Sequence, residues 1–382
     1  MCISNRIGPP VEGTDFFGRT REIRHANKLL DSGHSLLLSA PRRIGKSSLA
    51  KRLIAEKMCV GWKCVYIDLE EVTTEEGFLH MVVAAFAKSG VWKQITTGIS
   101  KGLTVLFEGV EKMSIGPVDI KFSRNEEREE LYKNLKELID HEQDTFIVID
   151  ELTLFLGILS KASGGQEKVA FILNWLRSLR QISRTKVRWL FCGSVGLRNF
   201  TSNLNLGYTI NDLTEFSLDE LTREEACASE QMSMDGVLID YTLNKLLWNI
   251  PYFIQIIFAE LLELYDDEKA MTAESIDIAY NKLVSENYLT TWSERLVEYG
   301  ELEIPARQIL KSLSSNPAGL SRETLLNMLM TGQESSRVGD MDYLLSKVLR
   351  MLENDGYIMK KEAVRVFRSP LLRDYWFNTF VQ

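Results

Sequence analysis

A short apolar run, Ser35-Leu36-Leu37-Leu38-Ser39-Ala40, leads directly into Pro41-Arg42-Arg43-Ile44-Gly45-Lys46-Ser47-Ser48 and then into a helical stretch reaching about residue 58. A run this short and this apolar suits a fully buried strand better than a helix. A buried strand followed at once by a helix needs parallel neighbours, and the chain supplies them. Residues 63–69, 145–151 and 187–194 are further apolar runs, and a fifth short strand falls within 214–218. Helical patterns lie at 19–31, closed by Gly33, at 73–87 with Thr73 or Thr74 as N-cap, at 125–141 and at about 166–183. Strands alternating with helices predict a parallel sheet covered on both faces, a three-layer α/β sandwich. Residues 90–122 interrupt the alternation, and Val118 to Phe122 after Gly116-Pro117 reads as part of an inserted hairpin.

After residue 220 the strand signals stop, and 221–300 reads as all helical. Helices at 304–314, 321–330 and 340–354 then precede two short strands, 357–360 and 364–367, around a tight turn. Three helices and a hairpin are the order of a winged helix. The expected organisation is a core at 1–220, a helical domain at 221–300 and a winged helix at 301–382. A chain of 382 residues fits two or three domains at roughly 150 residues each.

Composition narrows the function classes. Hydrophobic residues at 45% and charged residues at 26% are ordinary globular values. A net charge of −8 excludes a general nucleic-acid coat and leaves room for a local basic patch. Cys2, Cys59, Cys64, Cys192 and Cys227 form no CxxC pair, which reads as reduced thiols. His25, His34, His80 and His141 share no metal-ligand spacing. No apolar run approaches the roughly 20 residues of a membrane span, and the N-terminus has no apolar signal core. A soluble, cytoplasmic protein is expected, with no membrane partner.

Residues 40–47 fit G-x-x-x-x-G-K-[ST], with Ala40 in place of the first glycine. Backbone N–H groups of Ile44, Gly45, Lys46, Ser47 and Ser48 can converge on a phosphate chain at the helix N-terminus. Gly45 permits close approach, Lys46 places an ammonium on the outer phosphates, and the Ser47 hydroxyl can ligate Mg²⁺. Ala40 adds one methyl, costing about 1 kcal/mol if that position needs a left-handed backbone. Arg42 and Arg43 are placed to touch phosphates or a neighbouring subunit.

Asp150 and Glu151 end an apolar strand, at the sheet edge where open α/β folds bind ligands. Asp150 is the candidate Mg²⁺ residue and Glu151 the candidate general base for an attacking water. Other features read as packing or solvation. Trp175, Trp189 and Trp248, and the stripe Phe253, Ile256, Ile257, Ala259 and Leu261, are expected to pack. The run Glu126-Glu127-Arg128-Glu129-Glu130 reads as a solvated helix face. In the 340–354 helix and the turn after it, Asp340, Asp342, Glu353 and Asp355 outnumber Lys347 and Arg350, which argues against a DNA-reading helix. Tyr343, Leu344, Val348, Met351 and Leu352 read as its packing face, extended by Trp376 and Phe377. The hairpin is more basic, with Lys360, Lys361, Arg365 and Arg368 against Glu362.

Phe17-Gly18-Arg19-x-x-Glu22, about twenty residues before the loop, together with the loop itself, resembles the archaeal-type ATPases. These are P-loop NTPases of the STAND class, related to AAA+. The resemblance implies that Phe17, Gly18 and Arg19 border an adenine pocket, and that a helical lid and winged helix follow the core. Asn249-Ile250-Pro251-Tyr252-Phe253 keeps the lid proline, Pro251, without the glycine that usually precedes it. A glutamate directly after the Mg²⁺ aspartate implies the strand order 5-1-4-3-2. Ser194, ending the fourth strand, would be a polar sensor of the γ-phosphate. Many relatives carry an arginine near Gly207-Tyr208, and the segment Asn205-Leu206-Gly207-Tyr208-Thr209 has none, so no trans-acting arginine finger and only slow hydrolysis are expected. The implied function is an ATP- and Mg²⁺-dependent switch. Its ATP and ADP states would rearrange the lid and winged helix and so control a partner protein or self-assembly. The alternatives are a DNA-binding AAA+-like ATPase and a nucleotide-binding scaffold with negligible turnover.

Overall fold

The computed structural model describes residues 7–90, 125–139, 143–182, 185–193, 196–228, 236–264, 271–331 and 338–382. They fall into two compact units. The sheet unit holds Arg19–Ala40 and Lys46–Leu218, and the C-terminal unit gathers Met1–Gly18, Pro41–Gly45 and Asp219–Gln382.

The sheet unit runs α1 (Thr20–Asp31), β1 (Leu36–Ser39), α2 (Lys46–Cys59), β2 (Lys63–Asp68), α3 (Glu75–Ser89), α4 (Asn125–Ile139), β3 (Thr145–Asp150), α5 (Leu152–Ser160), α6 (Gly165–Arg180), β4 (Val187–Gly193), α7 (Leu197–Asn203) and β5 (Thr214–Phe216). The five strands lie in the order β2-β3-β4-β1-β5, every pair parallel. Read from the other edge, this is the expected order 5-1-4-3-2. β3 is buried along its whole length, as a central strand covered on both faces must be. Thr74 caps α3, its hydroxyl accepting from the Gly77 N–H at 3.1 Å. Phe78 stacks on Phe155 and meets Trp175 edge-on, joining α3, α5 and α6 in one core.

Two helices here carry no legible period. α5 is Leu-Thr-Leu-Phe-Leu-Gly-Ile-Leu-Ser, so apolar throughout that helical spacing cannot be told from a strand run. α7 is a seven-residue helix, too short to show a period. The charged run of α4 is only partly a solvated face. Glu129 and Glu130 are exposed, but Arg128 turns inward. Its Nε lies 2.6 Å from Glu75 Oε1, and its guanidinium lies 4.1 Å over the Phe171 ring. A buried Glu75 needs a cation, and Arg128 supplies it. The hairpin expected within 90–122 lies outside the described residues.

The C-terminal unit contains α8 (Arg223–Ala228), α9 (Gly236–Leu246), α10 (Pro251–Leu264), α11 (Ala273–Ser285), α12 (Thr290–Glu294), α13 (Glu303–Ser314), β6 (Leu320–Ser321), α14 (Arg322–Met330), α15 (Val338–Asn354), β7 (Ile358–Lys361), β8 (Val364–Phe367) and α16 (Pro370–Phe380). The three strands form an antiparallel sheet in the order β6-β8-β7. α16 begins at a Ser369 cap with Pro370 in its first turn. Trp248, Trp292, Tyr357 and Trp376 form a chain of edge-on ring contacts through this unit. Phe253, Ile256, Ile257 and Leu261 are buried on α10, with Ala259 half-buried.

Two expectations for α15 are corrected. Its inward stripe is Met341, Leu345, Val348, Leu349 and Leu352, at helical spacing. Tyr343 lies on the opposite face, 70% exposed, and is no packing residue. Asp355, counted as a surface charge, is buried and accepts the Tyr299 hydroxyl at 2.7 Å. Among the described residues, no helix is long and apolar enough to cross a membrane.

Candidate functional site

In the sheet unit, Lys46 opens α2 at the C-terminal end of β1 and is 6% exposed. Its ammonium donates to the Ala40 carbonyl at 2.9 Å, which closes the loop on its own lysine. Ser47 is half-buried and Ser48 buried just behind it. Asp150 ends β3, 2% exposed. Both of its oxygens already accept hydrogen bonds: Oδ1 from the Glu151 N–H at 3.0 Å and Oδ2 from the Tyr66 hydroxyl at 2.7 Å. Glu151 then turns the chain into α5 with a left-handed backbone, φ 52° and ψ 30°. That conformation costs a glutamate of order 1 kcal/mol, and such strain concentrates at functional positions.

One buried thiol reports on the convergence. Cys192 of β4 is pushed well above the ordinary thiol range, first by burial and then by the carboxylates of Asp150 and Glu151, with Lys46 opposing. β1 and β3 both pair with β4, Leu38 opposite Cys192 and Ile149 opposite Phe191, so Lys46 after β1 and the acids ending β3 lie at the same edge of the sheet. Burial also pushes the Tyr66 phenol far up, reinforced by Asp150, so its proton stays on the oxygen and faces the carboxylate. Tyr66 was not legible as a site residue. It reads as one more strand residue until β2 and β3 are laid in register, Asp68 opposite Asp150. Ser194 lies outside the described residues.

Arg19 is left-handed at φ 60° and buried, its Nη1 3.0 Å from Glu22 Oε1. The two charged residues of the Phe17-Gly18-Arg19-x-x-Glu22 motif thus pair with each other.

The C-terminal unit holds the first half of the loop. Gly45 is left-handed at φ +97°, and a Cβ there would lie 3.8 Å from Pro251 Cγ. Arg43 is also left-handed, at φ 65°. Two left-handed residues flanking Ile44 curl the backbone into the concave N–H arrangement that receives anions. The Arg43 guanidinium lies 4.6 Å over the Tyr252 ring, and its buried Nε has no partner. Arg42 and Arg43 line a water-sized cavity of about 10 Å³ with Trp292, Arg295, Asp355 and Tyr357. Pro41 packs where a Cβ on Gly356 would collide with Trp248 and meet Pro41 Cβ at 3.0 Å. Phe17 and Gly18 are half-buried, and a Cβ on Gly18 would meet Glu225 Oε1 at 3.1 Å.

The donor set fits Mg²⁺ and phosphate. Asp150 and Ser47 offer hard oxygen atoms, and Lys46, next to Ser47 in sequence, is a buried cation. Among the described residues, no group of three His, Cys, Asp or Glu side chains could hold a metal alone.

Residues 30–200 match the family model described as an AAA domain. No curated protein matches the chain. The Walker-type ATPase paby2304 of Pyrococcus abyssi is similar in structure, at 17% identity and TM-score 0.61, over 97% of this chain and 99% of that one. So is the ORC2 protein of Aeropyrum pernix, solved in ADPNP-ADP complexes, at 13% identity and TM-score 0.52, over 98% and 95% of the two chains. The β1 loop, Asp150 and Glu151 thus lie within the stretch that matches the AAA domain model, in a sheet unit with the P-loop ATPase fold.

Proposed function

We propose that this protein is a Mg²⁺-dependent ATPase that works as a molecular switch, of the archaeal-type group in the STAND class, acting in the cytoplasm. The observation that carries the reading is the register of β1 and β3 on either side of β4, which brings Lys46 and the Asp150-Glu151 pair to the same edge of the sheet. ATP would be held by the 40–48 loop, with N–H groups from Ile44 to Ser48 and the Lys46 ammonium on its phosphates, and Arg42 and Arg43 beside them. Ser47 and Asp150 would hold Mg²⁺, which when bound neutralises phosphate charge. Glu151 takes the proton of the attacking water, Ser194 senses the γ-phosphate, and Phe17, Gly18, Arg19 and Pro251 border the adenine. Because residues 205–209 carry no arginine of their own to act as a trans-acting finger, the proposed turnover is slow.

The switch itself rests on the C-terminal unit. Within it we assign 221–300 as a helical lid and 301–382 as a winged helix, following a core at 1–220. Pro41–Gly45 is built into this same unit, with Arg43 on Tyr252 of α10 and Pro41 against the turn before β7. A change of phosphate on the loop is therefore transmitted to lid and winged helix, and through them to a partner protein or a second copy. The exposed pair Lys360 and Lys361 favours, as a second reading, weak DNA contact. The test is ATP titration calorimetry and phosphate release with Mg²⁺. Saturable binding with slow turnover supports the switch, binding without turnover supports a scaffold, and no binding overturns both.

A further inference from the structure

We propose that Tyr66 is a positioning residue that fixes how Asp150 presents its carboxylate to the Mg²⁺ of bound nucleotide; the proposal rests on the ATP-binding reading above. Register makes the contact possible. Asp68 of β2 lies opposite Asp150 of β3, and Tyr66, two residues earlier on the same face, is the diagonal neighbour. A tyrosine is long enough to span that diagonal, and its hydroxyl donates to Oδ2 at 2.7 Å. The ring is held in turn by Lys51, whose Nζ lies 5.8 Å from its centre.

The second anchor is the Glu151 N–H on Oδ1. With one donor on each oxygen, the carboxylate plane cannot rotate, and only its remaining lone pairs face a metal or a metal-bound water. Removing the hydroxyl releases Oδ2 and lets the buried carboxylate swing about its other anchor. The main-chain anchor is fixed by the fold, so Tyr66 is the side chain that decides the orientation. Preorganisation of this kind alters metal binding without altering the ligand set.

The experiment compares wild type with Tyr66→Phe, by fluorescence titration of a labelled ATP analogue in EDTA and across a Mg²⁺ series. The Phe variant should need about threefold to tenfold more Mg²⁺ for half-maximal strengthening of nucleotide binding, a fraction of the worth of a hydrogen bond to a charged carboxylate because Asp150 keeps its other anchor and both oxygens. Its affinity in EDTA should be unchanged. Asp150→Asn and the double variant close a cycle, and Tyr66→Phe should add nothing once Asp150 is replaced. A wild-type Mg²⁺ curve in Tyr66→Phe overturns the proposal, and so does an equal loss with and without Mg²⁺, which marks a merely structural tyrosine. Wild-type protein that binds no nucleotide, or binds it with no Mg²⁺ effect, overturns the ATPase reading and this proposal together.

Discussion

The guanidinium carbon of Arg43 lies 4.6 Å from the centre of the Tyr252 ring, so a loop arginine is seated on the first turn of the helix that begins at Pro251. The contact is a cation over a π face, worth about 0.5–2 kcal/mol when partly desolvated. It holds Arg43 in a left-handed backbone that a β-carbon disfavours. Tyr252→Ala should therefore loosen the loop and weaken ATP affinity, besides destabilising the fold by about 3 kcal/mol through the lost buried ring. Tyr252→Phe keeps the ring and gives up only the hydroxyl donated to the Tyr288 carbonyl at 2.8 Å, a loss of about 1 kcal/mol. Titration calorimetry should show ATP affinity lost in the Ala variant and kept in the Phe variant. Equal affinities in both would disconnect Arg43 and Tyr252 from the nucleotide.

Lys46→Ala should weaken ATP binding about tenfold to a hundredfold, the worth of a charge-assisted hydrogen bond of roughly 1.5–3 kcal/mol. It also removes the 2.9 Å bond to the Ala40 carbonyl, so the loop loses its closure. Unchanged affinity by calorimetry would sink the loop assignment.

Glu151→Gln should retain ATP binding and lose hydrolysis, because a carboxamide cannot take the water's proton. Glu151→Gly separates strain from chemistry. Residue 151 sits at φ 52°, where glycine is unstrained, so the Gly variant should resist urea better by up to about 1 kcal/mol while losing turnover. A Gln variant with normal phosphate release would show that Glu151 is not the base.

The strands, the loop and the acid pair were legible because each is a local signal: a short apolar run, a glycine and lysine at fixed spacing, acids at a strand end; the sheet order 5-1-4-3-2 came only from the resemblance. What stayed hidden depends on long-range pairing. Tyr66 becomes a neighbour of Asp150 only through the β2–β3 register. Arg43 and Tyr252 meet through tertiary packing that no local pattern encodes. α5 was invisible for the opposite reason, since a mostly apolar stretch with no polar face satisfies helical and strand spacing equally. The Arg128 error came from reading a charge run as uniform, when its single cation is drawn inward by the buried Glu75.

Acid stability should carry the signature of Asp212. Burial alone would raise this carboxyl, but hydrogen bonds and charge from Arg180 outweigh it and hold it below the ordinary carboxylate range. A depressed folded value means the contribution is complete above the unfolded value, about 3.9, and is lost as pH falls through the folded one. Asp212→Asn should therefore flatten the decline of urea stability below about pH 4 while lowering stability at neutral pH. An unchanged acid limb would place the pH dependence elsewhere.

The last prediction concerns DNA. Of the four basic residues on the β7–β8 hairpin, Arg365 is committed to Glu353 at 2.9 Å, and Arg368 lies 4.8 Å over the Trp248 ring. Only Lys360 and Lys361 stand exposed, beside an exposed Glu362. On α15, Asp342 pairs with Arg322 at 2.7 Å, and the exposed Asp340 and Arg350 offset each other. A helix in a major groove faces phosphates on both sides and gains affinity through released counterions, roughly one per phosphate neutralised. Two lysines give a shallow salt dependence and weak binding. Fluorescence anisotropy with a labelled duplex should show negligible binding at near-physiological salt, with ATP and with ADP, and only weak binding at low salt. Reversing Lys360 and Lys361 to glutamate should abolish that residue of binding and leave ATP affinity intact. Tight binding at physiological salt, lost on the same reversal, would instead make the hairpin a DNA-contacting wing and favour the DNA-binding reading over the switch.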